Sequence, residues 1–324
     1  MARPLRIGWM SHHVEGVAPL QALLRAGYPI AAIVTLEPDL LAKRSGAAEF
    51  DAIAAEFGVP LHRIRNVNAP ASLAVLKELA LDALFVIGWS QILRADALGL
   101  VRIGCFGAHA SMLPAYRGSA PVNWALIRGE TRTGNSLMLL SEAVDGGAII
   151  AQRPIAITPF DNVDTLYARV AETNTAMLLD LAEKLCAGVP LSPAVQDPFD
   201  EASLLPRRRP EHGLVNWDQP ATAVYNFIRA VTQPYPGAFS TLGAMRYLIW
   251  RSALLPVTGA LAAPGTILGP VVSDSADACG IAVACADGGV VLLEIEADSA
   301  APLAGPALAS HGLQGAWDVG EDLL

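Results

Sequence analysis

The chain has 324 residues, 53% of them hydrophobic and 16% charged, which is apolar material for two packed cores at roughly 100–200 residues per domain. Its formal net charge is −9, and no run of like charges exceeds Arg207, Arg208 and Arg209, so it has no long-range attraction to phosphate backbones and nucleic acid is a disfavoured partner. The cysteines Cys105, Cys186, Cys279 and Cys285 form no C-x-x-C pair and no tight cluster, which argues against a disulfide framework or thiolate metal site and for a reducing compartment.

Residues 1–6 carry charge and run into a strand-like segment without a cleavable apolar stretch. Residues 5–10 are expected as a buried strand. Val17, Leu20, Leu23 and Leu24 then recur at helical spacing, with Gly27 as the stop. Residues 30–36 read as a second strand, and a helix carrying Phe50, Ile53 and Phe57 ends near Gly58. A short strand over 60–64 and a helix marked by Leu73, Leu76, Leu79 and Ala80 follow, then strands over 84–87 and 101–108. Strands alternating with helices imply right-handed crossovers and an α/β, doubly wound, mostly parallel sheet, whose ligands bind outside the carboxyl ends of the strands. The turn Ser11-His12-His13-Val14-Glu15-Gly16 lacks G-x-G-x-x-G, so a dinucleotide has no support.

Strands over 137–140 and 149–157 are expected near the end of this sheet. A long helix carrying Leu166, Val170, Met177, Leu181 and Leu185 closes at Gly188. Residues 189–212, with several prolines, an acidic patch and three arginines, suit a linker or docking segment. A short helix over 224–231 then precedes strand-like runs at 246–250, 280–286 and 289–295, with turns such as Asp287-Gly288, which predicts a small β-rich second domain. The uncharged stretch 252–272 is interrupted by Pro256, Gly259, Pro264, Gly265, Gly269 and Pro270, so it reads as strands and turns rather than a membrane span. A cytoplasmic protein is the expectation.

The residues with chemistry concentrate between 104 and 151. One strand ends at Gly107-Ala108-His109, Ser111-Met112-Leu113-Pro114 turns sharply, and Tyr116-Arg117-Gly118 leads into a helix that Ser119 can cap, with Pro121 in its first turn. Another strand ends at Val144-Asp145-Gly146-Gly147. An imidazole and a carboxylate at two strand ends can face one another; the carboxylate favours the charged ring and fixes its orientation for proton transfer.

The runs His109-Ala110-Ser111-Met112-Leu113-Pro114, Tyr116-Arg117-Gly118-Ser119-Ala120-Pro121 and Val144-Asp145-Gly146-Gly147 resemble the signature of the folate-dependent formyltransferase family. The likeness extends to Gly88-Trp89-Ser90-Gln91-Ile92-Leu93, Gly129-Glu130-Thr131, Thr133-Gly134, Arg208-Arg209-Pro210-Glu211, Trp217, Pro234-Tyr235-Pro236-Gly237-Ala238-Phe239 and Pro264-Gly265-Thr266, and so to nearly the whole chain. It implies a doubly wound catalytic domain over 1–205 and a smaller OB-like β-barrel over 206–324. It also implies a formyl group taken from N10-formyltetrahydrofolate, with tetrahydrofolate as product. The pteridine is expected in a pocket lined by the backbone of residues 86–93, with Val86, Gly88, Trp89, Gln91, Ile92 and Leu93, and by the loop 141–145, with Ala143 and Asp145. Carried over, proton transfer falls to His109 and its orientation, or that of a water, to Asp145. Ser136 matches a Ser or Thr position near the family's reaction centre. Asn135 and Ser136 point to opposite faces of a strand, and Ser136 is the one expected to serve.

One position departs from the family. Its usual Asn, two residues before the His, is Gly107 here. That Asn donates to the oxygen that becomes negative during attack, and losing such a donor costs ~2.7–4 kcal/mol. Three explanations stay open: a substitute donor (protonated His109, a backbone N–H or a water), a different acyl donor or acceptor geometry, or a folate-binding protein with altered or lost turnover.

A methionyl-tRNA acceptor calls for basic side chains tracking phosphates. Residues 37–44 are short and nearly charge-balanced, and residues 206–324 hold six Lys/Arg against eleven Asp/Glu, a net charge of −5. A small amine, in particular an amino sugar on a nucleotide, is therefore expected, with methionyl-tRNA as the alternative. The acceptor side is assigned to His12, His13, Arg117, Asn123 and Trp124, with Arg208 and Arg209 for a diphosphate. His12 and His13 make no convincing metal set with any carboxylate. A homodimer is compatible with the chain.

Overall fold

The computed structural model describes residues 4–196, 204–298 and 300–321. Two compact units result: Met1–Pro121, Arg132–Ala156 and Tyr167–Leu205 form one, and Val122–Thr131, Ile157–Leu166 and Pro206–Leu324 form the other.

The elements through residue 186 run β1 (Ile7–Met10), α1 (Val17–Arg25), β2 (Ile30–Leu36), α2 (Pro38–Leu41), α3 (Asp51–Phe57), β3 (Leu61–Ile64), α4 (Pro70–Leu79), β4 (Ala83–Val86), α5 (Ala95–Leu98), β5 (Gly104–His109), α6 (Pro121–Ile127), β6 (Arg132–Leu139), β7 (Ile149–Ala156) and α7 (Val163–Cys186). The strands form one sheet in the order β3-β2-β1-β4-β5-β6-β7. Neighbours from β3 to β5 are parallel, whereas β6 and β7 run antiparallel. This is the doubly wound, mostly parallel sheet that the alternation of elements predicts. The strand expected over 101–108 starts later, at Gly104, because Arg102 and Ile103 give their N–H groups to Leu81 and Asp82 before the chain joins β4.

Strand side chains alternate between the two faces, and each face buries its own apolar cluster. On one face Ile7, Trp9, Phe85 and Phe106 pack under Leu20 and Leu23 of α1, Ile53 of α3, and Met177, Leu178 and Leu181 of α7. Phe85 meets Trp9 and Phe106 edge-on, with ring centroids 6.5 and 6.1 Å apart. On the other face Met10, Val34, Leu84, Val86 and Cys105 pack under Leu76 and Leu79 of α4 and Ala97 of α5.

The second unit adds α8 (Ala221–Val231), β8 (Ala238–Leu242), β9 (Met245–Leu254), β10 (Ile267–Val271), β11 (Gly280–Cys285), β12 (Gly288–Ala297), β13 (Leu303–Ala304) and α9 (Gly305–Ala309). Its sheet is antiparallel in the order β10-β11-β12-β9-β8, with β13 paired to β12. The expected turn at Asp287-Gly288 closes the β11–β12 hairpin. β13 and α9 are too short to leave a periodic signal in sequence. Among the described residues no helix is long and apolar enough to cross a membrane.

Strand order reverses between β1 and β4, so the loops after them part and leave the crevice in which ligands of such sheets bind. His12 lies at this junction, with 5% of its surface exposed. Its N–H donates to the carbonyl of Gly88, its Nε2 lies 3.0 Å from Ser90 Oγ, and its ring lies 5.4 Å from that of Trp89. Burial pushes its pKa down from 6.5 to about 4. The folded protein therefore holds this ring neutral where the unfolded chain already protonates it. The associated stability is complete above about pH 6.5 and is lost, up to ~3 kcal/mol, as the pH falls towards 4. His12→Gln is expected to flatten the fall in Tm across that window in calorimetry at stepped pH; an unchanged slope would assign it to other groups.

Candidate active site

β5 ends at His109, which pairs in register with Ser136 of β6. Its ring is buried and meets one acceptor at each nitrogen. Nδ1 lies 3.4 Å from Asp145 Oδ1, and Nε2 lies 2.7 Å from the carbonyl oxygen of Tyr116. A backbone carbonyl only accepts, so the Nε2 proton points at Tyr116. The Asp145 contact is longer than the 2.7–2.9 Å typical of a charge-assisted hydrogen bond, as catalytic pairs often are before substrate binds.

Asp145 stands in the Val144-Asp145-Gly146-Gly147 loop before β7. Its φ is +49°, and Tyr116 and Ala120 on the facing loop have φ of +61° and +55°. Non-glycine residues in this region cost of order 1–3 kcal/mol each and persist where their surroundings over-determine them. The restraint here is mutual: Asp145 Oδ2 accepts the N–H of Gly118 at 2.9 Å. Two glycines permit the approach. A Cβ on Gly118 would lie 2.6 Å from the backbone nitrogen of Leu205, and one on Gly147 would collide with the carbonyl of Leu139.

Ser136 is correctly placed beside His109 but has no hydrogen-bonding capacity left. Its hydroxyl donates to Ser111 O at 2.6 Å and accepts from Leu113 N at 3.1 Å and Gln152 Nε2 at 2.8 Å. It shapes the turn after β5, next to His109. Asn135 faces away as strand alternation requires, donating to Thr173 Oγ1 and Asn174 Oδ1 of α7.

At Gly107 the structure shows what stands beside the missing amide. A Cβ there would lie 2.5 Å from Cδ2 of Leu140, whose side chain packs against the apolar cluster beneath α4 and α5.

Among the residues expected against a pteridine, Val86 and Leu93 belong to the buried core, whereas Gly88 and Trp89 are half-buried. Ile92 is 56% exposed and Ala143 is also exposed. The side chain of Gln91 anchors the loop. Its Oε1 accepts from Val67 N at 2.7 Å and its Nε2 donates to Arg65 O at 2.8 Å. Asn68 clamps the same loop through Ile92 O and Arg94 N. Trp89 Nε1 and His12 Nδ1 are buried without a hydrogen-bond partner.

Most of the residues expected to hold the acceptor have structural work. His13 is buried, lies 3.4 Å from Glu15 Oε1 and caps the turn after β1. Arg117 turns inward, its Nη2 donating to Gln196 Oε1 at 2.7 Å. Within the second unit, Asn123 donates to Ala230 O at 2.6 Å and Trp124 to Pro206 O at 3.2 Å. Arg208 lies over the rings of Trp124 and Phe227 and donates to His212 O, and burial pushes its pKa down to about 10. The indole N–H of Trp124 and the guanidinium of Arg208 are engaged within this unit, and the amide oxygen of Asn123 is buried without a hydrogen-bond partner. Arg209 alone of this set has an exposed guanidinium, 3.8 Å from Glu211. Among the described residues no group of three or more His, Cys, Asp or Glu is placed to hold a metal ion.

Sequence reasoning missed the Tyr116 carbonyl, Gln152, Leu140 and Gln196. A backbone oxygen has no residue signature, and the other three act through partners distant in the chain.

Comparison with known proteins identifies the family and the fold. Residues 18–181, just over half the chain, match the formyl transferase family, and residues 208–311 match the formyl transferase C-terminal domain. The fold is similar to that of WlaRD, a sugar 3N-formyl transferase solved with dTDP and 5-N-formyl-THF, at 16% identity and a TM-score of 0.63 over 90% of this chain and 97% of that one. It is similar to an N-formyltransferase from Helicobacter canadensis solved with folinic acid and dTDP-3-aminofucose, at 14% identity and a TM-score of 0.64 over 89% and 98%. HypX from Aquifex aeolicus in complex with tetrahydrofolic acid aligns at 17% identity and a TM-score of 0.64 over 97% of this chain but 48% of HypX, so the chain spans about half of that protein. The chain belongs to the formyl transferase family and is an enzyme of formyl-group transfer.

Proposed function

We propose that this enzyme transfers the formyl group of N10-formyltetrahydrofolate to the primary amine of a small acceptor, an amino sugar carried on a nucleotide, with His109 and Asp145 handling the proton. The observation that carries the proposal is the 3.4 Å approach of His109 Nδ1 to Asp145 Oδ1 at the carboxyl end of β5. The folate and nucleotide-sugar assignments draw support from similar folds solved with 5-N-formyl-THF, folinic acid, dTDP and dTDP-3-aminofucose. The chain's own residues suit a pteridine. Ile92 and Val144 offer exposed apolar surface, and Trp89 Nε1 is a donor without a partner. The net charge of −5 over residues 206–324 disfavours a tRNA acceptor.

In the proposed reaction the amine nitrogen attacks the formyl carbon, the bond from that carbon to N10 breaks, and a proton passes from the amine to the departing N10. The Nε2 proton of His109 already donates to a carbonyl oxygen, that of Tyr116. A formyl oxygen that displaces the Tyr116 carbonyl accepts this hydrogen bond in its place and is stabilised as it becomes negative. Asp145 stands at the ring's other edge, 3.4 Å from Nδ1, and orients it. With the amide absent at Gly107, this donor bears more of the developing charge.

Purified enzyme with N10-formyltetrahydrofolate is expected to convert nucleotide-linked amino sugars to formamides detectable by mass spectrometry. His109→Ala should reduce kcat by roughly 10²–10⁴-fold, and Asp145→Asn should also impair it; formylation of methionyl-tRNA with no sugar product would overturn the acceptor assignment. Gly107→Asn alone is expected to lower activity, because its Cβ meets Leu140, whereas the pair Gly107→Asn with Leu140→Ala should recover it. If the single substitution raises kcat, the glycine is a lesion rather than part of the working site.

A further inference from the structure

We infer that Gln196 is a positioning residue for this transfer, holding the Asp145 carboxylate against His109; the inference rests on the reading of those two residues as the reacting pair. After α7 the chain returns to the sheet, where Ala194 pairs with Ile149 at the start of β7 through hydrogen bonds of 2.7 and 2.8 Å. This extra rung sets the alternation of the next two residues. Val195 is 87% exposed, and Gln196 turns inward with 6% exposed. Its Nε2 donates to the carbonyls of Asp145 at 2.9 Å and Gly147 at 2.6 Å, while its Oε1 accepts from Arg117 Nη2 at 2.7 Å and Nε at 3.2 Å.

These partners fix the orientation of the amide, since two carbonyls require donors and a guanidinium requires an acceptor. They also explain the residue type. A carboxylate at this position would keep Arg117 and lose both donors, and an aliphatic side chain would lose all four bonds. Through this one amide the loop carrying Asp145, the acceptor at Nδ1 of His109, is joined to Arg117, the neighbour of Tyr116, whose carbonyl is the acceptor at Nε2. Gln196 touches neither ring nitrogen of His109 in any recorded hydrogen bond; it acts by holding Asp145 at φ +49°, a conformation that a free loop would leave.

The test uses the full chain, N10-formyltetrahydrofolate and the most rapidly formylated amine. Gln196→Leu and Gln196→Glu are compared with the parent for Tm, kcat and KM, alone and combined with Asp145→Asn. A displacement of about 1 Å at a reacting group can cost roughly 10²-fold. Both variants are expected to lose kcat on that scale with the KM for the formyl donor changed less than about twofold, and Gln196→Leu should cost nothing further once Asp145→Asn is present, because groups acting as one unit are not additive. If Gln196→Leu does not fold, Gln196→Glu decides, since it retains the Arg117 partner. Wild-type kcat in a folded variant, or losses that multiply with Asp145→Asn, overturns the positioning role. Full activity in Asp145→Asn itself overturns the reacting pair and this inference together, which separates the two failures.

Discussion

The site depends on one carboxylate reaching two ways. Asp145 Oδ1 faces His109 Nδ1 while Oδ2 accepts the N–H of Gly118, so a single side chain relates the imidazole at the end of β5 to the backbone of the loop that follows it. The same loop supplies the Tyr116 carbonyl to the ring's far nitrogen. A ring held at both edges keeps one orientation, which is the property a proton-transfer group needs. The cost is visible in the backbone: Asp145, Tyr116 and Ala120 all occupy left-handed conformations, and Asp145 is held in its own by the N–H of Gly118 and the amide of Gln196.

Around this pair the site is more apolar than the family pattern implies. Gly107 lies on the sheet face that carries Cys105 and His109, and Leu140 covers it while packing onto the cluster beneath α4 and α5. An amide at 107 and a leucine at 140 compete for one volume, so the glycine and the leucine form a matched pair in this chain.

Several side chains that resemble binding groups by type are committed to the fold. Arg208 lies over Trp124 and Phe227, and Asn123 donates to the carbonyl of Ala230. Ser136, Gln152 and Gln91 use their hydrogen bonds on loop backbones. Buried polar groups left unpaired are costly, so most are paired within the chain. Among the buried polar atoms without a partner, Trp89 Nε1 and His12 Nδ1 belong to neighbouring rings at the β1–β4 junction.

Local pattern alone determined the alternation of strands and helices, the parallel sheet with sites at its carboxyl edge, and the residues His109 and Asp145, because periodicity and short motifs are properties of neighbouring residues. It also exposed the departure at Gly107. Strand alternation placed Asn135 and Ser136 on opposite faces, as the structure has them. Whether Ser136 had a hydroxyl to spare, that Leu140 stands over Gly107, and that Arg208 is packed over rings within its own unit were decided by contacts between distant segments. Gln196 is the clearest case: it lies 51 residues from Asp145 and 79 from Arg117 along the chain, and its sequence neighbourhood is an unremarkable proline-rich segment. Hydrogen-bond capacity and occupied volume belong to the folded neighbourhood, and only closure of the chain brings that neighbourhood into being.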